Sequence, residues 1–179
     1  MTYFAFLRAI NVSGTRKIGM ADLRQWMTDL GYGEAKTLLQ TGNLVFDGGS
    51  RSPRETEVFL RDECEKRLGL STEFFVRTAD DLSAIIAGNP FPREAADDPS
   101  HLLVLFGGGT ATPEQEDSLR ARIKGREYFQ SSGCDYYFVY PDGIGESKLT
   151  IKIIERELGV SVTGRNWNTV LKLGAMILG

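Results

Sequence analysis

Hydrophobic and polar positions along the chain alternate between two periods, and the alternation runs through the same order twice. Tyr3 to Ile10 is a short apolar, aromatic-rich run that predicts a strand. After the polar stretch Asn11-Val12-Ser13-Gly14-Thr15-Arg16-Lys17, the residues Met20, Leu23, Trp26, Met27 and Leu30 recur at helical spacing, with Gly31 as the stop. Lys36 to Gln40 and Leu44 to Phe46 read as strands around the turn Thr41-Gly42-Asn43. Ser52-Pro53-Arg54-Glu55 is a capping box with proline at the first helical position. The helix it opens carries Val58, Phe59, Leu60, Cys64 and Leu68 and stops at Gly69. Glu73 to Arg77 predicts a further strand, and Thr78 to Asp81 caps a short helix through Leu82, Ile85 and Ile86.

Residues 91–100, rich in proline, alanine and charge, read as a linker, and the pattern then restarts. His101 to Phe106 is a strand, and Thr112-Pro113-Glu114-Gln115 is a second capping box before Leu119 and Ile123. Tyr128 to Gln130 and Tyr136 to Tyr140 flank the turn Ser131-Ser132-Gly133. A helix is expected from about Ser147 to Leu158, then a strand over Val160 to Val162, and a last helix opened by Thr163. Leu23-Arg24 matches Leu119-Arg120, Gln40-Thr41-Gly42 matches Gln130-Ser131-Ser132-Gly133, Leu68-Gly69 matches Leu158-Gly159, and Thr78 matches Thr163. Their common order points to an internal duplication. The fold class is therefore α+β: two ferredoxin-like βαββαβ subdomains, at 1–90 and 101–179, each followed by an extra helix.

Composition narrows the chemistry. The chain has 179 residues, 41% hydrophobic and 25% charged, with a net charge of -3 and an isoelectric point near 5.3. A surface made throughout for nucleic acid is excluded, although a local basic patch is not. The two cysteines, Cys64 and Cys134, lack metal-ligand spacing and read as buried thiols of a reducing compartment. One histidine, His101, cannot complete a zinc site with them, so no metal and no cofactor is expected. There is no signal-peptide pattern and no long apolar stretch, so no membrane is involved and a cytoplasmic protein is expected.

Four polar segments carry the candidate chemistry: Arg8 with Asn11 to Gly14 and Lys17; the hairpin Gln40 to Asn43; Gly143-Ile144-Gly145-Glu146-Ser147-Lys148; and Thr163-Gly164-Arg165-Asn166-Trp167-Asn168-Thr169. The first suits an anion near a helix N-terminus. The third puts a lysine in a first helical turn, where the dipole disfavours it unless it has a partner. In the fourth, an arginine and two asparagines crowd a helix start. Against these stands a structural account of each, since turns and caps require the same residue types. Trp167 at helical spacing with Val170 and Leu171 reads as core. The glycine segment lacks Walker spacing, Gly107-Gly108-Gly109 reads as a flexible turn, and no catalytic triad is visible.

Those segments also carry a resemblance. Leu7-Arg8-Ala9-Ile10-Asn11-Val12-Ser13-Gly14 with Lys17, Met20 and Leu23-Arg24 resembles the opening motif of the bacterial family known as domain of unknown function 1697, with alanine at position 9 where glycine is common. Leu39-Gln40-Thr41-Gly42-Asn43-Leu44-Val45-Phe46, Ser147-Lys148-Leu149-Thr150 and Thr163 to Val170 are similar to its other motifs. The resemblance implies two ferredoxin-like subdomains and no established activity. It also implies that Arg8, Asn11, Lys17, Asn43, Lys148, Arg165 and Asn166 matter together. Three readings follow. These residues line a basic, asparagine-rich cleft for a nucleotide, single-stranded nucleic acid or other phosphate-bearing ligand. Or they are architectural, and the protein acts through a protein partner. Or Lys148 or Arg165, with Glu146 as base, serves an enzyme acting on a phosphorylated or carboxylated small molecule.

Overall fold

The apolar run at the head of the chain becomes strand β1 (Thr2–Leu7) in the computed structural model, which describes residues 1–8, 18–39 and 42–176. Helix α1 (Met20–Asp29) follows, then β2 (Lys36–Leu38), β3 (Asn43–Asp47), α2 (Pro53–Leu68), β4 (Phe74–Thr78) and α3 (Ala79–Ala87). After α4 (Pro92–Asp97) come β5 (Leu102–Gly107), α5 (Pro113–Arg122), β6 (Tyr128–Ser132), β7 (Asp135–Val139), α6 (Ile151–Leu158), β8 (Val162–Asn166) and α7 (Trp167–Ala175). The strands form two four-stranded antiparallel sheets, ordered β2-β3-β1-β4 and β6-β7-β5-β8. This is the split βαβ topology twice, each followed by a further helix, so the α+β duplication read from the sequence holds. The described residues group into two compact units, Met1–Ala84 and Ile85–Met176.

In the first unit one sheet face, with Tyr3, Ala5, Leu7, Leu44, Phe46, Phe74 and Val76, packs with Leu23, Trp26 and Met27 of α1 and Leu60 and Cys64 of α2. The capping box forms as expected: Ser52 accepts from the Glu55 N–H, the Glu55 carboxylate returns to the Ser52 N–H, and Gly69 closes the helix in the left-handed region. Val58 does not join the core, being exposed, because the inward stripe set by Leu60 and Cys64 is extended by Thr56 and Glu57. Burial pushes the Cys64 thiol up to about 11, so it behaves as a small apolar group.

The second unit repeats the plan. Leu103, Leu105, Tyr136 and Phe138 pack with Leu119 of α5 and with Ile154 and Leu158 of α6. Thr112 and Gln115 exchange the reciprocal bonds of a capping box, and Gly159 closes α6 in the left-handed region. Cys134 departs from the expectation of a buried strand thiol: it lies half-buried in the turn before β7. Gly107 ends β5 rather than forming a flexible turn. Its N–H bonds the Cys134 carbonyl at 3.0 Å, and a Cβ at Gly107 would overlap that same oxygen.

Two helices start later than the pattern suggests, and both shifts move candidate residues. Helix α6 opens at Ile151, capped by Thr150, because Ser147 is bonded to Glu127 and to the Leu149 N–H and holds Ser147 to Thr150 in a turn. Lys148 is therefore outside the helix, and the dipole argument for a bound partner lapses. Helix α7 opens at Trp167, because Thr163 to Asn166 extend β8 along β5 and Asn166 is the cap. Trp167 is buried as expected, whereas Leu171 points outward.

Candidate functional site

The strand geometry sorts the candidate residues by what each side chain already binds. Arg8 follows β1, half-buried, and its guanidinium pairs with Glu73 just before β4. The Arg8 backbone is tied at the same place: its N–H donates to the Glu73 carbonyl at 3.0 Å, and its carbonyl accepts from Thr72 Oγ1 at 2.7 Å. Asn43, the first residue of β3, is fully buried opposite Phe6 and donates through Nδ2 to the Leu38 carbonyl at 2.9 Å. That bond closes the β2–β3 hairpin and answers the cost of burying an amide. The structure thus brings Arg8 and Asn43 to one end of the first sheet. Asn11 and Lys17, with Gln40 and Thr41, lie outside the described residues.

In the second unit Lys148 is exposed, with its carbonyl accepting from the Thr150 N–H. Arg165 is not at a helix start. It is the fourth residue of edge strand β8, opposite Val104, and only 8% exposed. Its Nη1 donates to Thr163 Oγ1 at 3.0 Å and to the Gly164 carbonyl at 2.8 Å. Burial lowers its pKa to about 10, which still leaves a cation at neutral pH. Asn166 caps α7 by accepting from the Thr169 N–H at 3.0 Å and the Thr169 hydroxyl at 3.1 Å. Glu146, the candidate base, is exposed. Among the described residues no group of three His, Cys, Asp or Glu side chains is placed to hold a metal ion.

Several residues that belong to this pattern escaped the sequence reading. Arg77 sits on edge strand β4 opposite Phe4, as Arg165 sits on β8 opposite Val104; it is 7% exposed, and its Nη1 donates to the Val76 carbonyl at 2.9 Å. Asp135 opens β7 opposite Phe106, as Asn43 opens β3 opposite Phe6, and is likewise buried. Aligning the repeats by strand pairing makes Thr78 the counterpart of Asn166 rather than of Thr163, since these face Tyr3 and Leu103. With that register, Arg77 and Arg165 superimpose, and the missed signal becomes visible.

A second feature recurs in both units at the sheet margins, two residues apart in register, since Val76 faces Ala5 and Val162 faces Gly107. Glu57 of α2 accepts from the Val76 N–H at 2.9 Å, and Glu155 of α6 accepts from the Val162 N–H at 2.9 Å. In each unit a carboxylate from the preceding helix thereby occupies an outward-facing amide of the edge strand. Glu57 also pairs with Arg54 at 2.8 Å and lies 3.8 Å from Arg77.

Comparison with known proteins agrees with this architecture. A search of curated proteins found no match. Among solved structures, the chain is similar to the conserved bacterial protein SP0830 from Streptococcus pneumoniae, with a TM-score of 0.77 and 21% identity, covering 98% of this chain and 97% of that one. At that identity the likeness speaks for the fold. Residues 1–137 match the family described as a protein of unknown function, DUF1697, and the motifs at Ser147 to Thr150 and Thr163 to Val170 lie beyond the matched stretch. With most of its length matched, the chain belongs to the DUF1697 family, for which no function is described.

Proposed function

We propose that this is a cytoplasmic binding protein that acts through a protein partner, and that its described motif residues are architectural rather than ligand-contacting. One observation carries the reading: the Arg165 guanidinium is buried within β8 and bonded to Thr163 and to the strand's own backbone. An anion site needs a cation reachable from solvent, whereas a buried guanidinium hydrogen-bonded at home fixes the strand that carries it. Asn43, Asn166 and Arg8 support the same view, because each is engaged in closing a hairpin, capping a helix or joining two strand ends. The cytoplasmic assignment rests on the cysteine usage, since Cys64 is a free, buried thiol of the kind a reducing compartment keeps.

The test is thermal denaturation of wild type and Arg165→Ala against nucleotides, short single-stranded RNA and DNA, and inorganic phosphate at low salt. The expected outcome is a fall in the mutant midpoint of roughly 10 °C, the order for breaking a buried polar network in a chain of this size, and no shift of the wild type by any ligand. A ligand that raises the wild-type midpoint and leaves a well-folded mutant unmoved would restore the anion-site reading.

A further inference from the structure

Helix α4 is attached to its unit differently from the other helices. It is only six residues long, none of its residues is buried, and its N-cap, Phe91, makes no side-chain cap bond. A helix this short does not hold itself together in water. The Asn89 side chain orders its entry instead, accepting from the Phe91 N–H at 2.9 Å. The Arg93–Asp97 pair at 3.5 Å runs along the helix between exposed groups and contributes little.

The ring and hydrogen-bond contacts of α4 with the sheet converge on Tyr128, the first residue of edge strand β6. The Phe91 ring meets the Tyr128 ring edge-on with centroids 5.2 Å apart, and the Tyr128 hydroxyl donates to Glu94 Oε1 at 2.7 Å. The Tyr128 bond holds the Glu94 carboxyl below its usual range, and burial, reinforced by Glu94, pushes the Tyr128 phenol up to about 12. Neutral donor and ionised acceptor therefore persist across the neutral range, which makes this a charge-assisted bond. Among the described residues, strand β6 itself pairs with β7 and with no second strand. Edge strands β4 and β8 each have an amide covered by a helix carboxylate, and β6 has no such bond among the described residues.

We propose that α4 is a releasable strap: the Phe91–Tyr128–Glu94 clasp holds it on β6, and it detaches locally while the sheet stays folded. Release turns two aromatic rings toward solvent beside a strand edge that has no second strand. The device is independent of the partner reading above, since it concerns a motion of this chain by itself.

Limited proteolysis with a broad-specificity protease, with cut sites mapped by mass spectrometry, tests the strap on the full chain. Cutting under native conditions reads the population of the open form. The expected result is a first cut confined to residues 91–98, accelerated roughly five- to tenfold in Tyr128→Phe, which keeps the ring contact and loses the hydrogen bond. Glu94→Gln is expected to accelerate the same cut, which guards against a defect peculiar to one variant. Low urea is expected to leave the rate nearly unchanged, since local opening exposes little surface. Equal rates in wild type and both variants would overturn the clasp. Cuts at 91–98 that appear only together with cuts in the sheet strands, and with the urea dependence of global unfolding, would overturn the strap.

Discussion

Arg77 and Arg165 pose the same physical problem at matched positions: a permanently charged group on an edge strand, withdrawn from water. Each is accommodated by hydrogen bonds to its own strand, and in the first unit the Glu57 carboxylate stands nearby. The sequence points to Arg165 because, with Asn166 and Asn168, it crowds an expected helix start. The same reasoning passes over Arg77, which follows Phe74-Phe75-Val76 and reads as the polar end of a strand. What neither segment discloses is burial, because burial of an arginine depends on neighbours remote in sequence. Glu57 and Glu155 were invisible for the same reason. Each is one acidic residue among several on a helix, and only the fold shows that it covers a strand amide. Replacing either with alanine leaves that amide without its acceptor, and a loss of about 1–3 kcal/mol in urea unfolding is expected for each. An exposed glutamate of the same helix, such as Glu65, serves as the control, with a change within about 0.5 kcal/mol.

At the scale of elements, most of the structure was legible where local chemistry decides it. Capping boxes at Ser52 and Thr112 and the glycine stops at Gly69 and Gly159 form where the residues imply, whereas the turn expected over Ser131 to Gly133 starts only at Gly133, because Ser131 and Ser132 continue β6 along β7. The caps and stops depend on bonds spanning three or four residues, which a sequence displays directly. The starts of α6 and α7 were misplaced because the deciding bonds are long-range: Ser147 to Glu127, and the β8–β5 pairing that keeps Thr163 to Asn166 extended. Those two shifts also removed the reasons for treating Lys148 and Arg165 as helix-start ligands. Where capping is local, its energetics should be local as well. Thr112→Ala is expected to cost about 1 kcal/mol, read as a midpoint lower by roughly 2–4 °C, without altering the sheet signal in circular dichroism.

At the scale of the whole molecule the duplication organises everything described. The repeats share sheet order, helix placement, a buried strand arginine, a buried polar residue opening the third strand of each unit, and a helix carboxylate on the edge strand. The order of elements was readable from two passes of one hydrophobic pattern, but the register between repeats was not. That register came from strand pairing, which placed Thr78 against Asn166 and so Arg77 against Arg165. If these arginines are matched structural members, they should carry comparable weight in stability. The most direct measurement is equilibrium urea unfolding of wild type, Arg77→Ala and Arg165→Ala in buffer without ligand. The expected result is a loss of about 3–5 kcal/mol in both variants, the range for removing one member of a buried polar network. An Arg165→Ala protein as stable as wild type, beside a strongly destabilised Arg77→Ala, would contradict the architectural account and mark Arg165 as a residue held for binding.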